Sequence, residues 1–230
     1  MKILFGAGVA DGRASLGGHT FSKNRNGAYI RQKVSPSQPR SARQLAVRAS
    51  FAGLSKAWGS VLTDLQRAGW IALASTVTIP DRFGNPQVPT GLQLYMRVNQ
   101  NLFTLATARL DDAPADQGVS ALTSAVLTAT FTGSILTLAF TPTPLGANEH
   151  IVIAATPPFS PGKQFVTSFL KQTFADPAGA SATPTDIYAP WNALFGALQP
   201  GQKVAVSAFV VNDINGAASA PASAVAITGA

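Results

Sequence analysis

The sequence has no cysteine. Disulfides, thiolate metal sites and a cysteine nucleophile are therefore excluded together, and the redox compartment leaves no trace in the composition. Histidine is nearly as scarce, with His19 and His150 the only two. Neither has a second histidine or a carboxylate pair at ligand spacing. Glu149 precedes His150, but neighbours on a strand point to opposite faces, so no metal site is expected. No serine sits in a Gly-x-Ser-x-Gly elbow, and the acidic residues are scattered along linkers and turns. That inventory holds no catalytic constellation, so an enzyme is not expected, nor a cofactor or a small-molecule substrate.

Charge is thin as well: 12% of the residues are charged against 46% hydrophobic. For a chain of 230 residues this implies that partners, copies of the chain among them, cover much of the surface. Long apolar runs are missing too. Nothing approaches the roughly 20 residues a membrane helix needs, so no membrane is expected. The opening MKILFGAGVA mimics a secretory signal, yet its apolar run is broken by Gly6 and Gly8 and ends at Asp11; synthesis in the cytoplasm is the default expectation. The spacing Gly6-x-Gly8-x-x-x-Gly12 has the outline of a dinucleotide fingerprint, but no helical period follows it, and no lysine paired with serine or threonine makes it a phosphate loop. The aspartates 111, 112 and 116 match no calcium loop and read as a solvated linker over 111–118.

The charge that is present is unevenly placed. Residues 1–110 hold 14 Lys or Arg against 3 Asp or Glu, a net +11, and residues 111–230 hold 3 against 7, a net −4. Such asymmetry points to an acidic protein, to nucleic acid, or to copies of the chain meeting through opposite charges.

The richest stretch runs from Pro39 to Ser75. Ser41 and Gln44 form a capping-box pattern, and Val47, Phe51, Leu54 and Trp58 fall on one stripe of the helix that follows. Gly59 and Ser60 break it; Thr63 with Gln66 repeats the box, and a second helix runs from Asp64 to about Ala74. The pair has the outline of a helix-turn-helix, but Leu65, Trp70, Ile71 and Leu73 with Arg67 leave little polar surface to enter a groove. Thr90 and Gln93 open a third helix to about Ala108, whose Leu94, Tyr95, Val98, Leu102 and Leu105 are the expected partners of Trp58 and Trp70. Upstream, Asn26-Gly27 marks a hairpin between Thr20–Ser22 and Ala28–Arg31 with a basic tip at Lys23 and Arg25. Val34 to Pro39 is then an extended arm, because residues before proline are pushed out of the α region. Pro80, Pro86 and Pro89 frame a loop over 77–89 with residues 81–85 as its turn. From Leu122 onward, seven strands are expected, near 122–131, 134–141, 149–156, 163–174, 186–192, 203–212 and 219–228, which suits a β-sandwich.

Leu198-Gln199-Pro200-Gly201-Gln202-Lys203-Val204-Ala205-Val206, then Val210-Val211-Asn212, Asn215-Gly216 and Ser219 to Ser223, resemble the late strands of fibronectin type III domains, with Val206 where that family usually carries tyrosine. The resemblance implies an Ig-like sandwich acting as a spacer or binding surface. Gly17 to Arg31, then Pro36 to Arg48, Ala57-Trp58 and Leu65-Gln66-Arg67-x-x-Trp70, resemble a family of proteins of unassigned role encoded among the structural genes of tailed phages and prophages. The similarity covers roughly residues 10–105 and implies a virion part.

The expectation is thus an α+β protein: a basic anchoring domain over 1–110 with a hairpin, an arm and three short helices, the linker, and a fibronectin type III-like sandwich over 119–230. Its expected role is non-enzymatic, as an accessory capsid (decoration or cement) protein in the virion, with a head–tail connector, neck or tail component next and a DNA-binding protein as the alternative of another class. Major capsid or other virion proteins and further copies of the chain are the expected partners, with non-specific DNA contact the competing use of the charge. The residues expected to meet the partner are Lys23, Arg25, Tyr29, Arg31, Lys33, Arg40, Arg43, Arg48, Trp58 and Trp70.

Overall fold

A computed structural model describes residues 12, 14–24, 27–34, 41–80, 85–176 and 183–229. The glycines at 6 and 8, the turn residues Arg25 and Asn26, the arm over 35–40 and the turn over 81–84 lie outside them. The chain is α+β and divides into two compact units, Met1–Ala46 and Val47–Ala230. The boundary falls inside the first helix.

The first unit contains a three-stranded antiparallel meander: β1 (Ala14–Leu16), β2 (His19–Asn24) and β3 (Gly27–Gln32). The hairpin closes on Asn24↔Gly27, one residue earlier than an Asn26-Gly27 centre would place it. The extra strand β1 was not expected; it returns through Gly17, whose φ of +56° is the left-handed geometry glycine adopts without strain.

In the second unit α1 (Ala42–Ser60, entered from the first unit), α2 (Asp64–Thr76) and α3 (Gly91–Thr104) form a helical layer, with the short ribbon β4 (Ile79–Pro80) and β5 (Pro86–Gln87) before α3. The capping boxes of α2 and α3 form as read, Thr63 with Gln66 and Thr90 with Gln93. Trp58 and Trp70 both meet Tyr95, with ring centroids 5.5 and 5.3 Å apart. The stripe of α1 differs from its expected form. Leu54 and Ala57 are buried while Phe51 is 41% exposed, lining an open cleft with Gln93, Met96 and Arg97 of α3. α3 stops at Thr104, and the buried Asn99 then holds the departing chain, accepting from Leu110 N–H at 2.7 Å and donating to the Leu110 carbonyl at 3.1 Å.

Next come β6 (Ser124–Thr130), β7 (Ile135–Thr141), β8 (Glu149–Ala155), β9 (Lys171–Ala175), β10 (Thr185–Asp186), α4 (Tyr188–Phe195), β11 (Lys203–Asn212) and β12 (Ala222–Ile227). They form two antiparallel sheets, β10-β7-β6 and β12-β11-β8-β9. Leu136, Leu138 and Phe140 from one sheet and Ile151, Ile153, Val204, Val206 and Val210 from the other share one core, the alternation that half-buried strands require. β8 is buried on both faces, since Val152 and Val211 turn outward to pack with Leu105 at the end of α3.

Three expectations change in this region. The strand read over 163–174 is only Lys171–Ala175, preceded by a 3-10 turn at Thr167–Phe169. The loop before it closes instead around Lys163, whose ammonium lies 3.8 and 3.9 Å from the ring centres of Phe159 and Phe169. The strand read over 186–192 is two residues of β10 followed by α4. Asp186 accepts from the Tyr188 N–H at 2.9 Å, proline is tolerated in a first helical turn, and Trp191 is fully buried, donating to the Thr156 carbonyl at 2.9 Å. Residues 111–118, read as a linker, lie within the second unit. There Trp70 donates to the Asp111 carbonyl, Gln66 to Asp112 and Asn215 to Asp116, at 2.9, 3.0 and 3.1 Å.

Candidate functional site

Antiparallel partners share a face and successive residues alternate, so the registers of the meander sort its side chains. Ala14, Phe21 and Ile30 form one row, Leu16, His19 and Gln32 the next on the same side, and Lys23 with Ala28 a third. On the other side, Ser15, Thr20 and Arg31 form a row and Ser22 pairs with Tyr29. Lys33 donates its backbone N–H to the Gly18 carbonyl at 2.8 Å, which continues the ladder and places it beside Arg31. One face is therefore mostly apolar and the other carries hydroxyls and cations. No described residue from 12 to 46 is buried, and Leu16 and Val34 are 76% and 77% exposed. Three strands with an apolar face ordinarily hide it; here Leu16 is open while Phe21 and Ile30 on that face, and Tyr29 on the other, are half-buried.

The unit boundary sharpens the charge segregation. Residues 1–46 hold eight of the seventeen Lys and Arg and one of the ten Asp and Glu, a net +7, and residues 47–230 hold nine of each, a net of zero. No Asp or Glu occurs among the described residues of the first unit.

Of the residues expected to meet a partner, Lys23, Arg31 and Lys33 are exposed and Tyr29 half-buried on the sheet, while Arg43 and Arg48 are exposed along α1. Arg25 and Arg40 lie outside the described residues. Trp70 is a correction. Trp70 has no exposed surface, and half-buried Trp58 packs against that same core, its carbonyl accepting from Arg67 at 2.9 Å; Trp70 cannot reach a partner. The division into two faces is not legible in the sequence, because β1 is only three residues long and register decides which side each residue takes.

Three further polar groups among the described residues are engaged by hydrogen bonds within the fold. Asp112 and Asp116 line a cleft of about 470 Å3 with Leu110, Asn212 and Asn215, but both carboxylates accept from Gln66 or Asn215 and so brace the turn. His150 is 3% exposed, with Nε2 3.0 Å from Asp213 and Nδ1 hydrogen-bonded to the Asp176 carbonyl. Asp213 was missed because it lies 63 positions away. The ring is locked in the wall of the fold and closed to a substrate. On the opposite face, Glu149 accepts from the N–H groups of Ser120 at 2.6 Å and Gly146 at 3.1 Å. Burial pushes its carboxyl up, but these bonds outweigh burial and hold it below the ordinary range. Among the described residues no group of three or more His, Asp or Glu could hold a metal ion, and no helix is long and apolar enough to cross a membrane.

No family model matches this chain, and neither a curated protein nor a solved structure does so.

Proposed function

We propose that this protein is a non-enzymatic structural component of a tailed-phage virion, an accessory capsid protein that fastens to the particle by its basic first unit and carries the second unit on the surface. The observation that carries the reading is the coincidence of the whole net charge, +7, with the one unit whose described residues include none that is buried. A surface of that kind gains little from its own chain and much from an acidic partner, with electrostatics steering the encounter. The second unit has what a carried module needs, its own cores and no net charge.

Its two sheets place the first, second and fifth strands opposite the third, fourth, sixth and seventh around one core. This order supports an Ig- or fibronectin type III-like sandwich, and such modules serve on many scaffolds as spacers and binding surfaces. Quantitative mass spectrometry of purified particles tests the role. A copy number comparable with that of the major shell protein is expected. A single ring's worth of copies places the chain at the neck or tail instead, and absence from the particle overturns the reading.

A further inference from the structure

Neither face of the meander holds a fully buried side chain among the described residues, and the two faces differ in chemistry. The face of Ser15, Thr20, Ser22, Tyr29, Arg31 and Lys33 carries hydroxyl, guanidinium and ammonium groups and no carboxylate, with the Ser15 and Thr20 hydroxyls bonded to each other at 3.1 Å; its complement is a surface of anionic acceptors. The face of Leu16, Phe21 and Ile30 is apolar, with Lys23 and His19 at its margins, and its complement is an apolar wall. A phosphate backbone supplies the first complement and not the second, whereas a protein cleft supplies both.

Size points the same way. Fifteen strand residues at about 3.3 Å rise and about 4.8 Å strand spacing give a footprint of about 240 Å2 per face. A stable protein interface takes about 800 Å2 from each partner. One face alone falls far short; enclosing the sheet doubles the contact to about 480 Å2, nearer that figure though still below it, so the rest of the interface lies beyond the sheet.

Resting on the anchoring role proposed above, we infer that the partner grips the sheet from both sides, as a cleft between neighbouring protein subunits with an acidic wall against Arg31 and Lys33 and an apolar wall against Leu16, Phe21 and Ile30. The sheet acts as a tongue whose two faces read two different surfaces. Affinity comes from covering the apolar face, while rate and salt dependence come from the cationic one.

The sheet supplies its own reporters, since Phe21 and Tyr29 stand on opposite faces and both are part-exposed in the free chain. Hydroxyl-radical labelling of the full chain, free and after binding to particles assembled without it, should show the labelling of both rings falling several-fold on binding. Adjacent substitutions separate the faces without disturbing the fold of the rest. Ile30→Thr should weaken binding several-fold and keep its salt dependence, and Arg31→Gln should weaken binding and flatten that dependence. Protection of only one ring overturns the enclosed sheet while leaving the anchoring role standing. So does competition for the particle by a short DNA duplex that protects Tyr29 alone. Failure of the unaltered chain to bind such particles overturns both proposals.

Discussion

At the scale of single residues, Glu149 shows how one buried carboxylate can hold separate segments. It is 7% exposed, and its two oxygens accept from Ser120, at the entry to β6, and from Gly146, in the turn before β8. Its folded carboxyl lies below the ordinary value, and an unfolded glutamate titrates near about 4.3. The sign follows from that order. The stabilisation is fully present above the unfolded value and is lost as the pH falls through the lower, folded one. Glu149→Gln keeps the shape but removes the charge-assisted bonds, so it should cost about 1–3 kcal/mol at pH 7, with the gap to the parent closing as both are acidified below about pH 4. Urea midpoints across that range measure it, and a gap that stays constant with pH would show that the carboxylate has no such role. Tyr95 is the opposite case. Its ring is fully buried between Trp58 and Trp70, its hydroxyl has no partner among the described residues, and burial pushes the phenol up despite nearby Arg109.

Between elements, the decisive contact is the one by which α3 meets the turn between β11 and β12. Gly216 has φ +62°, and a Cβ there would lie 2.5 Å from Val98 Cγ1 and 2.8 Å from the Val98 carbonyl oxygen. Asn101 donates to the Gly216 carbonyl at 2.8 Å, so backbone and helix meet with no room for a side chain. Gly216→Ala should therefore cost about 2–4 kcal/mol, strain and overpacking together. Gly201→Ala, at φ +73° with nothing within 4 Å, should cost only the strain, about 1 kcal/mol. Equal losses in denaturant titrations of the two variants would refute this account of the close approach. The pairing of α3 with the tryptophans of α1 and α2 was legible in the sequence, because three capping boxes fixed the helix starts and the stripe of α3 was unbroken. α4 was not legible. Ile187 at its N-cap position has no side chain that can cap, and a short apolar run fits a strand as readily as a helix until Trp191 finds the Thr156 carbonyl. The two faces of the meander were hidden for a similar reason: three-residue β1 is too short to signal itself, and register decides which side each residue takes.

Over the whole molecule, the sequence marks the chain's punctuation but not its division. Proline and aspartate set off residues 111–118, yet Trp70, Gln66 and Asn215 bind that stretch into the second unit, a tertiary use of polar residues that composition does not reveal. The helical layer consequently belongs with the two sheets, and the portion free to carry the net charge shrinks from 110 residues to 46. A deletion makes the difference measurable. Removing residues 1–40 takes away seven of the seventeen basic residues and one of the ten acidic ones, leaving a net +1, and it keeps Ser41 as the cap of α1. If charge and core are divided as the two units imply, the shortened chain should unfold with the parent's stability to within about 0.5 kcal/mol, as expected when no buried contact is lost. It should also lose its retention on a cation exchanger and its binding to particles. Were the anchoring surface spread over 1–110 instead, seven basic residues would remain on the fragment, from Arg43 to Arg109, and salt-dependent binding would persist. A shortened chain that melts much earlier would show instead that the first 40 residues complete a core, and the separation of grip from cargo would fail with it.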